Sequence, residues 1–178
     1  MQPLEIRSIV SRYIPCILSI VVLYIYIKLL RITKNITRIK KQYKLQNTYC
    51  PIEIVTGRVK TPESILDKAK RMNVLFENIS KQVYDIGGVR ITCKYLEDVY
   101  KVAELLKLRK DVKLLEERDY IKNVKPSGYR SLHILVEYNV ETIDGQVPVM
   151  LEFQIRTHAM HFWASIEHSI KYKYNKRR

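Results

Sequence analysis

From Val147 to Arg156 the chain alternates with a period of two. Val147, Val149, Leu151, Phe153 and Ile155 share one parity, and Glu152, Gln154 and Arg156 share the other. Successive side chains of an extended strand point to opposite faces, so this stretch reads as a β-strand with one packed face and one polar face. A lone strand cannot bury its apolar side; it needs paired neighbours and a covering layer. The sequence supplies both. His158–Tyr174 follows at helical spacing and predicts a helix with Ala159, Phe162, Trp163, Ile166 and Ile170 inward. Upstream, strands are predicted over Ile52–Val55, Val89–Tyr95, Val112–Leu115 and Ser131–Tyr138. One helix opens at Pro62 with Ile65, Leu66 and Ala69 on one face. Another covers Glu97–Leu108 through Val99, Val102, Leu105 and Leu106. Asp85-Ile86-Gly87-Gly88 reads as a turn, Lys125-Pro126-Ser127-Gly128 as a loop and Ile143-Asp144-Gly145-Gln146 as a hairpin connection. A hairpin beside helix-separated strands rules out a purely parallel sheet. The expected class is α/β (α+β), a mixed sheet flanked by helices.

The charge is unevenly spread. The 178 residues carry a net +14, but residues 1–50 hold nine Lys/Arg against one acid, Glu5. Such a balance favours polyanionic partners, whether nucleotides, RNA or an anionic membrane, without choosing among them. Residues 13–27 carry no charge. That run is shorter than the roughly 20 residues of a spanning helix, although counting on to Leu30 with Lys28 at the interface brings it close. It reads either as a membrane anchor over 13–30, with the heavier basic flank on the cytoplasmic side, or as a helix buried in protein. Residues 31–50 read as a helix end or linker, with the compact part beginning near Pro51. The expected division is an apolar and basic helical segment at 1–42 and a domain at 43–178. Cys16, Cys50 and Cys93 form no C-x-x-C pair, which excludes a disulfide framework and a zinc site and suits a reducing cytoplasm. Cys93 reads as a small buried hydrophobe.

Candidate chemistry collects in three places. The first is the polar row Glu152, Gln154 and Arg156. The second is Asp85 before a Gly-Gly turn. Two carboxylates on neighbouring strands can hold Mg²⁺, and phosphoryl-type transfer needs such a metal with cations around the phosphates. Arg58, Lys60, Lys68, Lys70, Arg71 and Arg90 are available for that role. The third is the loop KPSGYRSLH at 125–133, where Gly128 permits close backbone approach, Tyr129 can stack on a base and His133 follows on a strand. His158, His161 and His168 lack the partners of a zinc site. No G-x-x-x-x-G-K-[ST] loop and no kinase-type glycine-rich loop is present.

Four stretches in this order carry a resemblance: PIEIVTGRVK at 51–60, DIGGVRITCKYLEDVY at 85–100, RDYIKNVKPSGYRSLHILVEY at 118–138 and LEFQIRTHAMHFWASIEHSIKYKY at 151–174. Over about residues 43–174 the chain resembles the synthetase domain of the RelA/SpoT family, and most of all its short stand-alone small alarmone synthetases. The resemblance implies a nucleotidyltransferase-like fold and transfer of the ATP β,γ-pyrophosphate to the 3′-hydroxyl of GDP or GTP, with Mg²⁺. It implies that Arg58 stacks on adenine, that Lys60 and Arg90 contact phosphate, and that Asp85 and Glu152 hold Mg²⁺. It further implies that Glu152 activates the 3′-hydroxyl, that Tyr129 stacks on guanine, and that Lys125, His133, Gln154 and Arg156 line the acceptor pocket. His161 stands where close relatives often carry Asn. No His-Asp dipeptide occurs, so synthesis without the hydrolysis of the family's long members is expected. The family also implies a homo-oligomer, a tetramer assembled with helices beyond the last motif, whereas this sequence ends at Arg178. The expected location is the cytoplasm, either free or tethered through the N-terminal run. The alternative reading is an impaired homologue that binds guanine nucleotide or RNA without turnover.

Overall fold

The computed structural model describes residues 26–27, 29–75, 79, 83, 86–142 and 145–175. Five strands form one mixed sheet: β1 (Ile54–Val59), β2 (Gly87–Cys93), β3 (Val112–Asp119), β4 (Leu132–Thr142) and β5 (Gly145–Thr157). Their spatial order is β1-β2-β5-β4-β3. Only the β2–β5 pair is parallel; the other three ladders are antiparallel. The alternating strand is thus the centre of the sheet, paired along both edges. Leu151, Phe153 and Ile155 are fully buried, and directly opposite them lie Val136, Ile134 and Leu132 of β4. On the other side the apolar face continues into Val89 and Ile91 of β2. Cys93 lies in that layer, and burial pushes its thiol up to about 12, so it behaves as an inert hydrophobe.

Helices cover this face. Residues 29–45 form α1, and Leu29, Ile32 and Ile36 are 2%, 0% and 1% exposed within the core. This corrects the reading of residues 31–50 as a helix end or linker: the stripe at i, i+3 and i+7 is a packed helix face among basic neighbours. The close approach falls at Gly57, where a Cβ would meet Thr33 Oγ1 at 3.3 Å and Leu29 Cδ2 at 3.6 Å. Helix α2 (Pro62–Arg71) starts where the sequence predicts, with Pro62 in the first turn and Thr61 Oγ1 accepting from the Ser64 amide at 3.3 Å. Helix α3 (Leu96–Lys107) buries Val99, Val102, Ala103 and Leu106. It also buries Asp98, whose carboxylate accepts from the Tyr49 hydroxyl at 2.5 Å.

Three expectations change. Gly87 and Gly88 belong to β2 and not to a turn: they pair with β1 and β5, and a Cβ on Gly88 would lie 3.0 Å from the Glu152 carbonyl oxygen. Strand β3 runs on to Asp119 through a register shift between Leu114 and Glu116. Helix α4 (His158–Asn175) forms as predicted, but its apolar residues do not point inward. Phe162 is 68% exposed, Ile170 49% and Trp163 45%; Ala159 is exposed too, and only Ile166 is partly covered. Periodicity predicted the helix correctly, but the described residues cover that stripe only in part, at Trp163 beside the loop of Ser127 and Gly128 and at Ile166. Most of the run 13–27 lies outside the described residues, and among the described residues no helix is long and apolar enough to cross a membrane.

Candidate active site

Residues directly opposite on neighbouring strands share a face. Arg58 faces Gly88 and Gly88 faces Glu152, while Arg90 faces Gln154, which in turn faces His133. The polar parity of β5 is therefore one row in a patch spanning β1, β2, β5 and β4. Gly88 leaves the floor beside Glu152 without a side chain.

A chain of hydrogen bonds fixes the patch. An Arg156 guanidinium N–H donates to the Tyr129 hydroxyl oxygen at 3.2 Å. That hydroxyl lies 2.8 Å from His133 Nε2, and His133 Nδ1 lies 2.9 Å from Glu152 Oε1. One assignment satisfies every link: Tyr129 donates to Nε2 of a neutral imidazole, whose Nδ1–H donates to an ionised Glu152. Gln154 Nε2 donates to the second carboxylate oxygen at 2.7 Å, and Gln154 Oε1 accepts from Arg90 at 3.3 Å and from Arg156. Glu152 is thus held from two sides.

The loop before β4 is held at both ends. Asp119 Oδ1 accepts from the Ile121 and Lys122 amides at 2.8 and 3.0 Å, and Oδ2 accepts from the Tyr100 hydroxyl at 3.1 Å. Burial works against its ionised form, but these donors keep the Asp119 carboxyl below its usual range. Gly128 takes φ +79°, and Trp163 donates to the Ser127 carbonyl at 3.1 Å. Tyr129 and Tyr120 meet edge to face at 6.2 Å, with Lys125 Nζ 4.9 and 4.1 Å from their ring centres.

Two clefts open on this face. One, of 590 Å³, is lined by Arg58, Lys60, Arg71, Arg90, Glu152 and Gln154, with Thr61, Ser64, Asp67, Gly88 and His168. The other, of 540 Å³, takes in Tyr129, Arg156 and the α4 face from Ala164 to Ser169. They share Arg58, Arg90, Gln154 and His168. Burial, then the like charges of Arg58 and Arg156, hold Arg90 below its ordinary value; burial does the same to Arg156. An arginine keeps its charge under such pressure, so Arg58, Arg90 and Arg156 together outnumber the Glu152 carboxylate beside them and give a positive potential suited to phosphate. Burial, then Arg156, Arg90 and His158, lower His161 and favour its neutral ring.

Of the residues singled out from sequence, Arg58, Lys60, Arg71, Arg90, Glu152, Gln154, Arg156, Tyr129, His133 and Lys125 come together here. Lys68 lines neither cleft. At 100° per residue it lies on the flank of α2 toward buried Ile65, while Ser64, Asp67 and Arg71 form the lining stripe. Asp85 lies outside the described residues. Thr61, Ser64, Asp67 and His168 were not foreseen as lining residues.

A family model described as a region found in RelA/SpoT proteins matches residues 57–177. The chain belongs to the RelA/SpoT family. Within it, the chain is 47% identical over 137 residues to the GTP pyrophosphokinase YjbM of Bacillus subtilis, covering 77% of this chain and 64% of that protein. It is 42% identical over 139 residues to the GTP pyrophosphokinase YwaC of the same organism, covering 77% and 66%. This RelA/SpoT chain therefore spans just under two thirds of the length of these curated relatives. Its fold matches the crystal structure of small alarmone synthetase 1 from Bacillus subtilis bound to its product pppGpp. That match has a TM-score of 0.81 and 42% identity, over 85% of this chain and 77% of that one.

Proposed function

We propose that this chain is a (p)ppGpp synthetase that transfers the β,γ-pyrophosphate of ATP to the 3′-hydroxyl of GDP or GTP in the cytoplasm. The observation that carries the reading is Glu152. It lies in the arginine-lined cleft and is held, through His133, to the tyrosine of the second cleft. The likeness to a product-bound alarmone synthetase supports it.

In this reading ATP lies in the first cleft, with its adenine on Arg58 and its phosphates against Lys60, Arg71 and Arg90. The guanine base stacks on Tyr129, within reach of Lys125, His133, Gln154 and Arg156. The ribose 3′-oxygen attacks the β-phosphorus and its proton passes to Glu152. The bond from that phosphorus to the α–β bridging oxygen breaks, and AMP departs with the electron pair. A ribose hydroxyl is a weak acid, so a positioned base contributes roughly 10²–10⁴-fold. His133 and Gln154 keep the Glu152 carboxylate aimed, and the buried arginines stabilise charge on the transferring phosphates without reorganising. The donors along this cleft are oxygens, from Glu152, Asp67, Thr61 and Ser64, which suits a hard cation such as Mg²⁺. Glu152 with Asp85 would hold it, and when bound it would neutralise triphosphate charge.

The test is purified protein with γ-³²P-labelled ATP, Mg²⁺ and GDP or GTP, with products separated by thin-layer chromatography. Label is expected in ppGpp or pppGpp. Glu152→Gln keeps the size of the side chain but cannot take the proton, and product should fall at least about 10²-fold with the circular dichroism unchanged. Full turnover in that variant would remove Glu152 from the mechanism.

A further inference from the structure

Helix α1 has a second face that the nucleotide chemistry does not use. Its inner stripe, Leu29, Ile32 and Ile36, packs into the core, and at 100° per residue the opposite stripe is Ile27, Leu30, Arg31, Lys34, Arg38 and Lys41. All six are exposed. No acid occurs anywhere between Glu5 and Glu53, so the stripe has no charge of opposite sign along its own helix. At 1.5 Å per residue the four cations run about 15 Å along the surface. At the C-terminal end of the stripe, Lys41 rims a hollow of 620 Å³ together with Lys44, Asn47, Thr48 and Tyr49, a set of donors suited to a phosphodiester.

We propose that α1 lies flat on an anionic lipid bilayer, with its cationic stripe against headgroup phosphates and Ile27 and Leu30 in the acyl boundary. Two observations select lipid over nucleic acid. The stripe has apolar side chains at one end, Ile27 at 53% and Leu30 at 42% exposed, following an uncharged run in the sequence. Among its cations the stripe carries no aromatic ring, since Tyr43 turns toward the partly buried side; the exposed ring of Tyr26 flanks its apolar end, where a tyrosine suits a membrane interface, and Tyr49 at the hollow is tied through its hydroxyl to Asp98. A surface that pairs cations with apolar residues matches the membrane interface. From Leu29 onward only the outer face of the helix is open to lipid, because Leu29 is 2% exposed in the protein core. The geometry leaves catalysis free. Helix α1 meets the sheet at Gly57, on the apolar face, and Arg58 points to the opposite face with the clefts. Docking would therefore turn the nucleotide site toward the aqueous phase.

The test is co-sedimentation of the full chain, without nucleotide, with vesicles of phosphatidylglycerol mixed into phosphatidylcholine and with phosphatidylcholine alone. Each juxtamembrane Lys or Arg is worth about fivefold in affinity for an anionic surface. Replacing Arg31, Lys34, Arg38 and Lys41 with Gln is expected to cost on the order of several hundredfold on anionic vesicles. Exchanging each Lys for Arg and each Arg for Lys should leave binding intact. The preference should shrink in high salt. Equal binding of the Gln variant and the parent to anionic vesicles would overturn the proposal, as would equal binding of the parent to both compositions. Salt-sensitive binding of single-stranded RNA through the same four residues, with no vesicle binding, would also overturn it and assign the face to nucleic acid.

Discussion

Arg156 is only 5% exposed, and its guanidinium reaches Tyr129 and Gln154 at once. Its Nε is buried with no partner, a donor left available inside an anion site. Lysine carries the charge but lacks the fork that serves two acceptors. Arg156→Lys is therefore expected to lower kcat/KM for the guanine nucleotide by roughly 10–100-fold, the worth of one or two charge-assisted hydrogen bonds. Steady-state kinetics with the acceptor varied would check this, and the KM for ATP should stay within a few-fold of the parent. Tyr129 separates two roles in the same assay. Tyr129→Phe keeps the ring and loses the hydroxyl between Arg156 and His133, so kcat should fall more than acceptor KM rises. Tyr129→Ala should raise acceptor KM about tenfold, as loss of one base stack worth roughly 1–3 kcal/mol requires. Glu152, Gln154 and Arg156 were legible because a strand's period exposes its polar parity. Ser64, Asp67 and His168 were not, because their place on the cleft depends on where α2 and α4 dock, which no local pattern states.

The clearest cases of partial legibility are the helices. In α1 the core stripe Leu29, Ile32 and Ile36 is separated by Lys and Arg, so composition read as linker while spacing held the packed face. Ile32 is fully buried, and Ile32→Ala should destabilise the domain by about 2–5 kcal/mol, measured as a lowered urea midpoint. A true linker would show a change within about 0.5 kcal/mol, as for an exposed substitution. Gly128 joins two elements. At φ +79° any Cβ is strained, and here it would also stand 3.4 Å from the Trp163 indole nitrogen. Gly128→Ala should cost about 1 kcal/mol or more and raise acceptor KM, because the same loop carries Tyr129. The two-glycine signal at the start of β2 was misread for a related reason. Glycine was there to admit the neighbouring strand beside Glu152, a requirement set by the parallel pairing of residues 64 apart in sequence.

At the scale of the whole molecule, one carboxylate joins parts of the chain that are far apart in sequence. Glu53 pairs with Lys94 at 3.3 Å, just past β2, and with His158 at 3.4 Å, at the start of α4; separately, its backbone carbonyl accepts from Lys40 of α1. Burial pushes its pKa upward, but hydrogen bonds from Lys94 and His158 outweigh that and hold the carboxyl below its usual range. A depressed acid contributes stability that is fully present above its unfolded pKa and is lost as pH falls through the folded value. Asp119, also depressed, acts in the same direction from the loop that carries Tyr129. The domain is therefore expected to keep a flat Tm from neutral pH down to about pH 5 and then lose stability into the acid range, where carboxylates titrate. Glu53→Gln removes the titrating group but keeps the side-chain size. Its Tm should be lower at pH 7 and should fall less steeply below pH 5, since less of the acid loss remains to be suffered. Because the pair is only partly shielded from water, salt near 1 M should narrow the gap between the two proteins at pH 7. A Glu53→Gln curve parallel to the parent's at every pH would mean that the Glu53 charge contributes nothing to the tie between β2 and α4 and that its carboxylate is a solvated bystander.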